Sequence, residues 1–182
     1  MSHRPILATL AALVLAGCAV GNPKYPAGWE PLVPKITSDC SNFSGMYADR
    51  GDGPGYAGQA SLTRELFGPH SGWESARRFH FAWDGPERLT VTVWDGTAEL
   101  VTRAFSVADG TLQCDSGRLI VRSKRWVHEV LVAGHESVSI ELSDAGDRLV
   151  AYVNEVTYGL IFIFVPIAAD ATHWYRFQRV TQ

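Results

Sequence analysis

Phe79-His80-Phe81-Ala82-Trp83-Asp84-Gly85-Pro86-Glu87-Arg88-Leu89-Thr90-Val91-Thr92-Val93 is the stretch that decides the fold. Phe79, Phe81 and Trp83 fall on every second residue, and so do Leu89, Val91 and Val93, with Thr90 and Thr92 between them. A period of two places each set on one face of a strand. Asp84-Gly85-Pro86 separates the two runs, and Asp-Gly accepts the positive φ of a tight turn. The stretch therefore predicts an antiparallel hairpin with one apolar and one polar face.

The same pattern continues toward the C-terminus. Asp95-Gly96 turns into a strand from about Ala98 to Val107, and Asp109-Gly110 turns again. Leu119 and Val121 face in while Arg118, Arg122 and Lys124 face out. Further strands are predicted at Trp126 to Val132, ending near Gly134, and along Val138, Ile140 and Leu142. Asp144-Ala145-Gly146-Asp147 turns into Leu149, Ala151 and Val153. Leu160 to Val165, just after Gly159, reads as a strand buried on both sides, and Trp174 to Val180 as the last. The expectation is an all-β, antiparallel meander of about eight or nine strands. A barrel is preferred over a two-sheet sandwich, because closure removes exposed edges. One short helix is expected at Gln59–Phe67, where Leu62 and Leu66 share a face and Gly68-Pro69 provides the stop. Ser44-Gly45-Met46-Tyr47 is similar to the Gly-x-Trp start of lipocalins, with Tyr in place of Trp. That resemblance implies a lipocalin-like barrel.

The N-terminus has a different character. His3 and Arg4 precede an apolar run from Ile6 to Ala16 that is interrupted only by Thr9, and Leu15-Ala16-Gly17-Cys18 follows. A charged start, a short apolar stretch and small residues at the cut make a secretory signal. The Leu-Ala-Gly-Cys ending resembles the lipobox of bacterial lipoproteins. The resemblance implies a signal peptide over residues 1–17, diacylglycerol on the Cys18 thiol and acylation of its new amine. Several acyl chains on one residue hold a protein firmly to a membrane. Ala19, rather than Asp, follows the Cys, which by the same resemblance implies the outer membrane, periplasmic face. Residues 18–38, with Pro23, Pro26, Pro31 and Pro34, are expected to be an extended tether reaching on the order of 60 Å if fully PPII. Residues 39–182 form the β-domain. A Cys before Ser-Gly-x-Tyr, the central Cys114-Asp115-Ser116-Gly117 and the Trp174-Tyr175-Arg176-Phe177 end give the body the look of small envelope lipoproteins with no assigned activity.

The chain has 182 residues, 46% hydrophobic and 19% charged, with a formal net charge of −3. Loss of Arg4 with the leader leaves 15 basic and 19 acidic side chains. That balance argues against nucleic acid as a partner, since phosphate binding needs a concentrated positive surface. With Cys18 assigned to lipid, Cys40 and Cys114 are an even pair in an oxidising compartment, and a disulfide is expected. A metal pair lacks ligand spacing.

Several strings resemble chemistry without its context. Gly53 to Gly58 fits G-x-G-x-x-G, but Tyr47 to Asp52 is not a strand pattern and the sheet reads as antiparallel. His128-Glu129 begins H-E-x-x-H, yet Val132 stands where the second His is needed. His135-Glu136 reads as a solvated turn, His70-Ser71 as loop, and Asp170 with Thr172 as loop before the last strand, although His173 and Asp170 could pair as base and orienter. Arg50-Gly51-Asp52 reads as a Gly-rich loop, and no G-x-S-x-G occurs. Arg118, Arg122, Lys124 and Arg125 form the main basic cluster, a solvated strand face that could also hold an acidic headgroup or glycan. The aromatics either fill the core or line a cavity.

No catalytic, cofactor-binding or metal-binding residue, and no cofactor, is assigned on these grounds. The leading expectation is a lipid-anchored binding or scaffold module that meets an envelope protein partner. A lipocalin-like carrier of a small apolar ligand is the first alternative. An envelope hydrolase relying on His70, His128 or His173 is the second.

Overall fold

The computed structural model describes residues 24–32, 40–54, 56–128, 132–161 and 165–181. Among the described residues, ten strands and one short α-helix follow in chain order: β1 Gly45–Gly53, β2 Tyr56–Ser61, α1 Leu62–Phe67, β3 Arg78–Trp83, β4 Arg88–Trp94, β5 Glu99–Ser106, β6 Leu112–Asp115, β7 Arg118–His128, β8 Val132–Asp144, β9 Arg148–Ile161 and β10 Val165–Val180. All pairings are antiparallel. The order across the sheet is β5-β4-β3-β1-β10-β9-β8-β7-β6, with β2 pairing β1 off this path.

The all-β meander is present, but barrel closure is not. β5 and β6 are consecutive in the chain, yet they are the two ends of the sheet and share no ladder. The reason lies in the 107–111 turn. Thr111 is drawn toward β7, where its carbonyl accepts from Arg122 N at 2.8 Å. β6 then runs only from Leu112 to Asp115, paired to β7 up to Val121. The lipocalin-like barrel and the two-sheet sandwich are both replaced by one open sheet that wraps a single core. Strands also number ten rather than eight or nine.

The alternating residues fill that core. Phe79, Phe81, Leu89, Val91, Val93, Leu119, Val121, Val138, Ile140, Leu142, Leu149, Ala151 and Val153 are all buried in one cluster with Tyr47, Phe105 and Phe177. Full burial of each large side chain contributes about 1.5–3 kcal/mol. α1 is shorter than expected, because residues 56–61 pair with β1 as a strand. Ser61 caps it, its Oγ accepting from Arg64 N, and Gly68 ends it at φ 86°. Leu62 and Leu66 bury its inner face.

β1 is a strand that was not expected. Its inward positions are Tyr47, Asp49 and Gly51, so a carboxylate and a glycine hide the apolar alternation. Asp49 is fully buried and accepts from Ser61 Oγ (2.8 Å), Thr63 N (2.9 Å) and Thr63 Oγ1. It holds the start of α1 onto the sheet.

Two further expectations are corrected for one shared reason. Trp126 to Val132 and Leu160 to Val165 are not continuous strands. The first spans the change from β7 to β8 and the second the change from β9 to β10. Residues 129–131 and 162–164 lie outside the described residues. Leu160 is 40% exposed rather than buried. The glycines read as strand stops are mid-strand neighbours, Gly134 opposite Gly159. A Cβ on Gly134 would overlap the Tyr158 carbonyl oxygen, and one on Gly159 would lie 2.6 Å from that of Ala133. The strands approach closely there and run on past the core.

Candidate functional site

The open seam shapes a recess. β6 stops at Leu112, and among the described residues β7 has no strand on that side from Arg122 onward. A cleft of about 590 Å³ opens beside this edge. Arg103 of β5, Asp109 and Thr111 of the turn, Arg122 and Lys124 of β7, and Asn154 of β9 are among its lining groups. Ser137 and Ser139 add hydroxyls, and Val156 an apolar surface.

Register explains how these residues meet. Residues directly opposite in an antiparallel ladder share a face. Arg122 is opposite Ser139, and Ser139 opposite Asn154. Lys124 is opposite Ser137, and Ser137 opposite Val156. Two rows of side chains thus lead from the seam into the sheet. Arg122 Nη2 is held by Gln113 Oε1 at 2.7 Å, and Arg103 lies 5.3 Å from the Phe105 ring centroid. Asn154 Oδ1 is buried and has no donor among the described residues. The Asp109 carboxyl is held below the usual carboxylate range by the Thr111 side-chain and backbone donors. The cleft carries three cationic groups against this one carboxylate, plus hydroxyl and amide groups, an arrangement suited to an anionic, hydroxyl-rich ligand.

A second polar group lies on the opposite face of the same strands. Ser123, Val138 and Glu155 form one inward row, and Arg125, Glu136 and Thr157 the next. Arg125 is ion-paired to Glu136 and, at 3.2 Å, to Glu155, and its Nη1 donates to Arg64 O of α1 at 3.3 Å. Glu65 of α1 completes the cluster. Burial, then the charge of Glu155, push its carboxyl up to about 7. A hydrogen bond with Glu155 adds a smaller push in the same direction. A perturbed carboxylate is often a functional signal. Here it belongs to α1 and lies near the charges of Glu155, Arg125 and Arg64, where the helix meets the sheet.

The residues singled out by sequence are placed as follows. Cys18 lies outside the described residues. Cys40 and Cys114 are bonded, with S–S 2.02 Å and Cα–Cα 6.0 Å, joining the segment before β1 to edge strand β6. His70 accepts from Gly72 N at 2.9 Å through Nδ1 and caps a 3-10 turn, Ser71–Ser75. His135 and Glu136 are in β8, not a turn: His135 meets the Trp126 ring at 4.5 Å and Glu136 pairs with Arg125. Asp170 and His173 are in β10, not a loop, and three residues apart on a strand they point to opposite faces. Arg50-Gly51-Asp52 lies within β1, with Asp52 3.6 Å from Arg176. Gly53 and Tyr56 are paired across an antiparallel hairpin, which is not a nucleotide loop. The basic cluster divides: Arg118 binds Glu141 at 3.0 Å, Arg125 faces inward, and Arg122 and Lys124 enter the cleft. Arg103, Asp109, Thr111 and Asn154 had no motif to reveal them.

The expected tether also differs where it is described. Trp29 N donates to Pro26 O at 3.0 Å, closing a turn. Tyr25 packs edge-on against Trp174 at 5.1 Å, and Arg176 lies 5.0 Å from the Trp29 ring centroid. Residues 24–32 therefore dock on β10.

Among the described residues no three His, Cys, Asp or Glu are grouped to hold a metal, and no helix is long and apolar enough to cross a membrane. Comparisons with protein-family models, with curated proteins and with solved structures find no match to this chain.

Proposed function

We propose that this chain is a lipid-anchored protein of the bacterial envelope, held at the outer membrane through Cys18, that binds an anionic, hydroxyl-bearing ligand in the seam cleft. The anchor rests on the Leu15-Ala16-Gly17-Cys18 lipobox resemblance. The ligand chemistry rests on one observation: Arg103, Arg122 and Lys124 converge with serines and the undonated Asn154 Oδ1 at the break in the sheet. A ligand anion would be drawn by the cations, and a ligand hydroxyl would donate to Asn154.

The open sheet removes the barrel on which the expectation of a carrier of small apolar molecules rests. The aromatics Phe43, Tyr47, Phe79, Phe81, Phe105 and Phe177 are buried together in the core. The hydrolase alternative gains nothing from His70, a capping residue, or from the separated His173 and Asp170.

Two measurements test the reading. Cys18→Ser should move the protein from the membrane to the soluble fraction. Binding of sulfated and uronic-acid oligosaccharides, measured by calorimetry, should weaken at least about tenfold in an Arg122→Gln/Lys124→Gln chain, as expected for charge-assisted contacts. Equal affinity in both chains would remove the cleft as the site.

A further inference from the structure

The four strands β7 to β10 continue beyond the core, and their outer face turns apolar at the far end. Trp126 is opposite His135, His135 opposite Tyr158, and Tyr158 opposite Ala168. One row further out, His128 is opposite Ala133, Ala133 opposite Leu160, and Leu160 opposite Pro166, so the row is aliphatic across β8 to β10. Trp126 and Tyr158 are each 60% exposed and Leu160 40%, and these three are the large hydrophobic residues exposed there. Exposed aromatics backed by an aliphatic row match the layering of a membrane interface, where Trp and Tyr sit at the headgroups.

The anchor leads to the same place. Tyr25 is fixed against Trp174, whose position in β10 puts it on the same face as Ala168 and Pro166. Cys18 precedes Tyr25 by seven residues, a span of at most about 25 Å. Along β10, Ala168 is six residues from Trp174, about 20 Å, and Pro166 is eight, about 27 Å. A span of that length is enough for Cys18 to reach the aromatic row.

From this we infer that the outer face at the far end of β7–β10, carried by Trp126, Tyr158 and Leu160, enters the same bilayer leaflet that holds the acyl chains of Cys18. The inference rests on the lipid anchor proposed above. It adds a second contact, which would fix the tilt of the domain on the membrane. One acylated residue on a free tether would leave that tilt open.

The test uses the full acylated chain in vesicles of phosphatidylethanolamine and phosphatidylglycerol, with and without brominated acyl chains. Brominated lipid should quench the emission expected of one tryptophan out of six, and Trp126→Phe should abolish that quenching. Tyr158→Asp with Leu160→Asp should also reduce it while leaving the near-ultraviolet dichroism of the domain intact, since both side chains are exposed. A chain that floats with the vesicles but shows the same quenching in Trp126→Phe overturns the inference and leaves the anchor standing. A chain that does not float removes the anchor, and this contact with it.

Discussion

Replacing Glu65 with Gln should change the pH dependence of stability in a way that tests the buried cluster. Glu65 faces Glu155, Arg125 and Arg64, and its carboxyl titrates near 7 in place of the ordinary 4.5, chiefly through burial. In the unfolded chain it loses its proton near 4.5, while in the folded chain it keeps it to about 7. Between those values the folded state binds the extra proton, so stability falls as pH rises. The contribution is complete below about 4.5 and is lost progressively up to about 7. Each pH unit corresponds to 1.36 kcal/mol, so the interval is worth at most about 3 kcal/mol, less where water reaches the carboxyl. Glu65→Gln keeps the shape and the hydrogen bond to Glu155 but cannot ionise. Urea denaturation of the oxidised Cys18→Ser chain, from pH 4.5 to 8, is the assay. Wild type should lose roughly 2–3 kcal/mol across this interval beyond the loss in Glu65→Gln, and the variant should be the more stable chain at pH 8. Parallel profiles for the two proteins would refute the account of Glu65 as a protonated member of the cluster.

Asp49→Ala should destabilise the domain by about 3–5 kcal/mol, because Ser61 Oγ, Thr63 N and Thr63 Oγ1 lose their buried acceptor together. A lowered urea midpoint with unchanged slope would show this, and a shift below about 1 kcal/mol would contradict it. Cys40→Ser with Cys114→Ser opens a link with a sequence separation of 74, which costs about 4.5 kcal/mol in the chain-entropy model. Thermal melts of the variant and wild type, both non-reduced, would read that loss.

The parts legible in the sequence are those where local pattern and tertiary burial agree. Leu89, Val91 and Val93, or Val138, Ile140 and Leu142, alternate in sequence and are buried in the structure. β1 was hidden because two of its inward positions are Asp49 and Gly51, whose reasons are a partner in α1 and a close approach to Phe177. Gly134 and Gly159 carried the opposite trap. Glycine marks stops in a local reading, while their mutual approach is visible only once β8 and β9 pair. The seam was out of reach for a related reason. Whether β5 meets β6 depends on Thr111 bonding to β7, a preference no alternation encodes. The cleft draws on residues from 103 to 156 that no short motif unites, so only its basic part, Arg122 and Lys124, stood out beforehand.

The Cys40–Cys114 bond gives the molecule a dependence on its history. β6 has four residues and, among the described residues, β7 is the one strand that pairs with it. While both thiols are reduced, that strand and the segment before β1 are free of each other, and the chain lacks the cross-link that shortens its unfolded ensemble. Oxidation then ties the segment before β1 to edge strand β6, so the stability of the fold depends on whether both thiols have met an oxidant.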